Sequence, residues 1–429
     1  MTHDIDLRIP ALGPATFDSP LGLSTVAGDH VADYTPDDAS VVLDLGRRGA
    51  GPVFERAGAR AKLFFEGSRA VAGIVSCGGL CPGMNNVIRG LVNQLRHTYG
   101  VRRILGFRYG FLGLTPNGPA PLELGPECVD EIHLQGGTIL GSSRGPQPPA
   151  VMVDTLERLH VDLLFCIGGD GTLRGAAALA EEIRRRERRI AIVGVPKTID
   201  NDVPFIERTF GFETAVAEAT RAITAAHVEA CGAPNGVGIV RLMGRHSGFI
   251  AASATLASGE VDLCLVPELP FQLDGSRGVL AFLRARLRER GHAVVVAAEG
   301  AGQDLVAAGA ERDASGNAKL GDIGTFLRDA LVRGLGDLEV NVKYIDPSYI
   351  VRAAAANPAD AIFCGRLAEN AVHAAMAGKT ALVVGLWGGL FTHVPLVAAT
   401  SGRATISTDS PFWRSVVEST CQPALLADS

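Results

Sequence analysis

Residues 195–204 read VPKTIDNDVP, so Lys197, Thr198, Asp200, Asn201 and Asp202 follow one another directly after an apolar run. A structural turn needs one or two such side chains. Five polar groups in one tight stretch point to something being held there. Two glycine-rich stretches earlier in the chain supply the complementary geometry. In SCGGLCPGMNN (76–86), Gly78, Gly79 and Gly83 let backbone N–H groups approach an anion, although an ordinary strand-to-helix turn reads the same way. It is neither a G-x-G-x-x-G nor a Walker A sequence. IGGDGTLRG (167–175) adds an acid: Gly168, Gly169 and Gly171 flank Asp170. A helix cap needs the acid but not three glycines. The fuller reading is a phosphate cradle in which Asp170 holds Mg2+. A third loop, QGGTILGSSRG (135–145), carries Arg144, whose guanidinium can neutralise phosphate charge or belong to an ordinary surface loop.

These loops need strands and helices to hold them. The stretches 71–76, 161–169, 189–196, 235–243, 261–268 and 292–300 read as short, continuously apolar strands. Residues 84–100 and 172–189 read as amphipathic helices between them. Apolar strands alternating with helices imply parallel sheets covered on both faces. The candidate motifs fall just after strands, where open α/β sheets bind ligands. Residues 1–70 lack this rhythm and read as an N-terminal extension with one strand, SVVLDL (40–45), and 311–322 reads as a polar, turn-rich insertion.

With 429 residues the chain is too long for one core. At 47% hydrophobic and 20% charged it is globular in composition. A net charge of −6 argues against nucleic acid or an anionic membrane as the main partner, so a substrate anion must be met by local cations. The eight cysteines show no metal spacing beyond the lone pair Cys77 and Cys81, and are expected to be buried, reduced thiols of a cytosolic protein. The N-terminus does not read as a signal or transit peptide. Residues 380–400 carry no formal charge, yet Gly388, Gly389, His393 and Pro395 make two buried strands joined by a Gly-Gly turn the better reading than a membrane span.

GGDGT resembles two groups of kinases, the phosphofructokinases and the NAD and diacylglycerol kinases. PKTIDND resembles the signature of the 6-phosphofructokinases alone, and LMGRHSGF (242–249), VPE (266–268) and YIVR (349–352) follow in that family's order. The resemblance spans about residues 50–400 and is strongest to the plant and protozoan ATP-dependent branch. It implies two Rossmann-like three-layer α/β/α domains with mostly parallel sheets. A nucleotide-binding domain would comprise 71–210 and 354–405, and a sugar-phosphate domain 211–353 and 406–429. It also implies phosphoryl transfer from ATP to the 1-hydroxyl of fructose 6-phosphate, with Mg2+ at Asp170.

Under that resemblance Asp200 is the general base, Thr198 donates to the transferring group, Asp202 fixes Asp200 or joins the Mg2+ shell, and Asn201 closes the turn. Gly78, Gly79, Arg144, Gly168, Gly169, Asp170, Gly171, Thr172 and Lys197 would bind the nucleotide. Arg245 and Glu268 would contact the sugar and its phosphates, with Arg245 counted among the catalytic groups and Met243 and Gly244 lining the substrate. Lys343, Tyr349 and Arg352 would take the 6-phosphate. Bacterial-type relatives place a His where Tyr349 stands, and a neighbouring subunit's Arg where Gly236 falls. Gly171 leaves room for a nucleotide where an Asp would exclude it, whereas Lys197 is also usual in pyrophosphate enzymes. The alternatives are a pyrophosphate-dependent enzyme and a non-catalytic sugar-phosphate regulator. A cytoplasmic homo-oligomer, dimer or tetramer, is expected, with no nucleic-acid or membrane partner.

Overall fold

The computed structural model describes residues 6–26, 28–44, 51–306 and 319–426. Of the expected turn-rich insertion 311–322, residues 311–318 lie outside the described residues, as does Leu45 of the expected early strand. The strands are, in chain order, β1 (Phe17–Asp18), β2 (Ser40–Val42), β3 (Val53–Arg56), β4 (Lys62–Leu63), β5 (Val71–Ser76), β6 (Arg103–Phe107), β7 (Leu122–Glu123) and β8 (Leu163–Gly168). Then come β9 (Ala191–Pro196), β10 (Gly236–Leu242), β11 (Leu263–Leu265), β12 (His292–Ala298), β13 (Asn341–Ile345), β14 (Leu382–Trp387) and β15 (Leu390–Pro395). The chain forms two compact units. One comprises Met1–Thr198, Val203–Gly211 and Ala355–Gly402; the other comprises Ile199–Asp202, Phe212–Ala354 and Arg403–Ser429.

The first unit holds a sheet in the order β2-β3-β15-β14-β9-β8-β5-β6-β7. Its middle five strands, β14 to β6, are parallel, and both margins are antiparallel. Strands β8 and β9 are buried at every residue, which is why they read as unbroken apolar runs. The uncharged stretch 380–400 forms the β14–β15 hairpin. Gly388 (φ 58°) and Gly389 (φ 74°) make its two-residue turn, a backbone that asks for positive φ at both positions.

The stretch before Val71 differs from the expectation of one strand. Among the described residues it carries four, of which β2 falls in the expected stretch, and β2 and β3 extend the large sheet through the β3–β15 pairing. Two- to four-residue margin strands are too short to show a period of their own, yet Phe54 of β3 is fully buried in the core. Glu55, on the same strand, has three cationic or imidazole neighbours. Its Oε1 accepts from Arg60 Nη2 (3.1 Å) and meets His393 Nδ1 (3.0 Å), and its Oε2 accepts from Lys379 Nζ (2.9 Å). Burial pushes this carboxyl up, but His393 and Lys379 outweigh it and hold the group down at about 2.

In the second unit all strands are parallel, in the order β11-β12-β10-β13. The helix Phe212–Cys231 lies against this sheet through a stripe of small residues, Ala215, Ala219, Ala226 and Ala230 among them. The approach is close enough that a Cβ on Gly238 would sit 2.7 Å from the Ala226 carbonyl oxygen, and one on Gly236 would sit 2.0 Å from that of Ala230. No side chain fits at position 236 without moving the helix, so the missing arginine there has a packing cause.

Candidate active site

In the first unit the two glycine loops and Lys197 come together. Strand β8 ends at Gly168, Gly169 is the N-cap, and Asp170 opens the helix Asp170–Arg185. Asp170 therefore sits in the first turn rather than at the cap. Its Oδ1 accepts from Arg174 Nε at 2.9 Å, and about a quarter of its side chain meets solvent. Thr172 is buried beneath the loop, and a Cβ on Gly168 would collide with Thr172 Oγ1 at 2.1 Å. At Gly171, by contrast, a Cβ would meet nothing within 4 Å. The Lys197 N–H donates to the Gly168 carbonyl (3.0 Å), and its buried ammonium donates to the Gly79 carbonyl (2.9 Å). Arg144 reaches the same loop, its Nη2 lying 3.5 Å from where a Gly79 Cβ would stand. A bridge between Lys197 and Phe210, and a Thr209 hydroxyl donating to the Thr198 carbonyl (2.6 Å), fix the strand's exit.

Mg2+ takes one or two carboxylates and completes its shell with water and phosphate oxygens. A single solvent-reaching carboxylate beside the open space at Gly171 fits that demand. It does not amount to a preformed all-protein cage.

The second unit gathers Asp200 and Asp202 with residues at the carboxyl ends of β10 and β12. Asn201 between the two acids takes φ 55°, a left-handed turn that Asn tolerates. Asp202 is buried and accepts from Arg403 Nη1 at 2.6 Å. Ser247 Oγ donates to the Asp200 carbonyl (3.2 Å). Burial pushes the Asp200 carboxyl up to about 7, with the charges of Asp202 and Glu299 adding to the rise and those of Arg352 and Arg403 opposing it. Glu299 in turn accepts from Arg241 Nη2 at 2.9 Å.

After β10, Gly244 takes φ 131° where a Cβ would strike the Ser247 carbonyl at 2.4 Å, so the loop carrying Arg245 closes tightly. Glu268 Oε1 accepts from the Gly248 and Ile406 N–H groups (3.0 and 2.8 Å), while its Oε2 is buried with no hydrogen-bond partner among the described residues. Arg352 Nε lies 3.0 Å from Met243 Sδ.

Lys343 and Tyr349 are the exposed members of the expected sugar-phosphate set. Lys343 is exposed in the middle of the edge strand β13, short of its carboxyl end, and Tyr349 is 85% exposed on the helix Ser348–Ala353. Asp202 acts on Asp200 through its charge, and is itself paired with Arg403. The cysteines divide, five buried and Cys128, Cys231 and Cys421 exposed. Among the described residues, no helix is long and apolar enough to cross a membrane.

Sequence reasoning missed Glu299 and Arg403. Glu299 follows an apolar strand directly and could have been found by the placement rule that singled out the other motifs. Arg403 carries no such mark, because only the fold brings it to Asp202.

The family model described as Phosphofructokinase matches residues 71–375. The chain is 50% identical to the ATP-dependent 6-phosphofructokinase of Amycolatopsis methanolica, over 98% of this chain and 96% of that one. It is 46% identical to ATP-dependent 6-phosphofructokinase 7 of Arabidopsis thaliana, over 92% and 82% of the two chains. It is 48% identical to the ATP-dependent 6-phosphofructokinase of Trypanosoma cruzi (strain CL Brener), over 85% and 76%. Among solved structures, a pyrophosphate-dependent phosphofructokinase from Marinobacter aquaeolei matches with a TM-score of 0.69 at 21% identity, over 84% of this chain and 92% of that one. That likeness speaks for the fold alone.

Proposed function

The chain belongs to the phosphofructokinase family, and from that premise we propose the reaction its residues carry out. It is an ATP-dependent 6-phosphofructokinase, transferring the γ-phosphoryl of ATP to the 1-hydroxyl of fructose 6-phosphate to give fructose 1,6-bisphosphate and ADP. Asp200 accepts the proton of the attacking hydroxyl. The observation that carries this role is its carboxyl, lifted to about 7, because a general base works best with a pKa near the operating pH.

Phosphoryl transfer otherwise depends on positioning and charge neutralisation. Gly168, Gly169 and Gly171 open a helix N-terminus to the donor's phosphates. Lys197 and Arg144 supply positive charge at the Gly78–Gly79 loop, Thr172 supports the cradle from below, and Thr198 donates to the group in flight. Asp170 is the residue to hold Mg2+, which when bound neutralises charge on the phosphate oxygens. Arg245, Glu268, Met243, Gly244 and Arg352 hold the sugar phosphate. Lys343 and Tyr349, exposed within this chain, are the further candidates for the 6-phosphate, and the protein works as a homo-oligomer, dimer or tetramer, in the cytoplasm.

Lys197 is the feature that favours pyrophosphate as the alternative donor, and the open space at Gly171 supports ATP. Assaying purified protein with each donor separates them, and only turnover with ATP sustains the reading. Asp200→Asn tests the base and sets the enzyme apart from a sugar-phosphate-binding regulator. The rate should fall on the order of 10² to 10⁴ with little change in sugar-phosphate affinity.

A further inference from the structure

The last turn of the helix Phe212–Cys231 carries His227 and Cys231, four residues apart and so on one face. The chain then turns into β10, whose first residue, Gly236, pairs in parallel register with His292, the first residue of β12. Three side chains meet as a result. Cys231 Sγ lies 3.5 Å from His227 Nε2, the two imidazole rings stand edge-on with centroids 5.3 Å apart, and one ligand atom from each of the three residues lies within 4.8 Å of the others. Among the described residues this is the one His, Cys, Asp and Glu group that converges so closely. Cys231 is exposed and the histidines half-buried, so an ion reaches them from solvent.

Two further features bear on the site. His292 Nδ1 lies 3.2 Å from the Arg290 carbonyl, which can only accept; the proton therefore sits on Nδ1 and Nε2 is left to bind. The Arg290 guanidinium itself is paired with Asp262 Oδ1 at 3.0 Å. A helix C-terminus also favours a cation.

We infer that His227, Cys231 and His292 form a surface site for a thiophilic divalent ion of the Zn2+ class, separate from the Mg2+ chemistry of Asp170. One thiolate and two imidazoles suit Zn2+ and not a hard, oxygen-seeking ion. With Zn–S of about 2.3 Å and Zn–N of about 2.0–2.1 Å, tetrahedral ligands stand roughly 3.3–3.6 Å apart, and the Cys231–His227 pair already does so. The fourth position is left to water. On binding, the Cys231 thiol releases its proton to solvent, both imidazoles bind neutral, and the end of the helix is clipped to the start of β12.

Co2+ is the probe. Titrated into metal-free full-length protein in the presence of excess Mg2+, it should saturate at a single equivalent per chain with tetrahedral d–d absorption and a sulfur-to-cobalt charge-transfer band. Added Zn2+ should bleach both. Cys231→Ser should lose the charge-transfer band, and His292→Gln should keep it while weakening binding at least about tenfold, the low end of what disturbing even a ligand's supporting partner costs. Cys421→Ser, removing another exposed thiol, should change nothing. Zn2+ should raise the Tm of the unmodified chain and of Cys421→Ser, and not of Cys231→Ser. Equal Co2+ binding in Cys231→Ser, or no saturation in the unmodified chain, overturns the site.

Discussion

Asp200 shows how one carboxyl is tuned by its surroundings. Burial, Asp202 and Glu299 raise its pKa to about 7, and Arg352 and Arg403 restrain the rise. The acid limb of kcat/KM, which reports the free enzyme, should therefore centre near pH 7. Asp202→Asn should move that limb to lower pH and Arg403→Gln to higher pH; a pH–rate profile of each variant reads the shift, and a limb that stays put in both would remove the assigned cause. The same elevation has a cost in stability. The folded state holds a proton between about pH 4, where the unfolded carboxyl titrates, and about pH 7. Stability from this group thus falls as pH rises through that window and is flat above it. Asp200→Asn should accordingly be more resistant to urea than the unmodified protein at pH 8, although it has lost its activity.

At the scale of the strand-to-helix loop, two glycines three residues apart have opposite reasons for being glycine. A side chain on Gly168 collides with Thr172, whereas one on Gly171 finds open space. Gly168→Ala should destabilise the fold by about 1–3 kcal/mol, as overpacking does. Gly171→Asp should leave Tm almost unchanged while abolishing ATP use, and retained ATP kinetics in that variant would falsify the steric account of the donor.

What the sequence made legible follows the same physics. Buried parallel strands such as β8 and β9 declare themselves as unbroken apolar runs, and the Gly-Gly turn of the β14–β15 hairpin was visible in two residues. The short strand β3 gives no such pattern, and its partner β15 lies more than three hundred residues away, whereas β2 was legible within SVVLDL. Motif-bearing loops could be read, and with them Asp202 and Arg352; of the other charges that act on Asp200, Arg403 could not. Arg403 becomes its neighbour only through folding, and exposure of Lys343 and Tyr349 is set by which side of an element faces out.

At the scale of the whole molecule, Glu55 ties the early part of the chain to its late part through Lys379 and His393. Removing its charge takes the carboxylate from Lys379, whose side chain is 18% exposed, and leaves the 4% exposed Arg60 only the ion pair with Asp37 at 3.2 Å. Glu55→Gln should cost about 3–5 kcal/mol, the usual result of breaking one side of a buried pair. The folded pKa is held down at about 2, so the stabilisation is present above the unfolded value near 4.3 and fades as pH falls toward 2. Denaturant unfolding of both proteins at pH 7 and at pH 3 should show the gap narrowing in acid.

The order β2-β3-β15-β14-β9 also bears on how this protein can be made. The hairpin that stands between β3 and β9 leaves the ribosome only after the whole of residues 212–354. Until it arrives, the emerging polypeptide presents two bare strand edges with no native neighbour. A product halted before Leu382 should accumulate as aggregate, and its cellular yield should depend on chaperone supply far more than that of the finished chain.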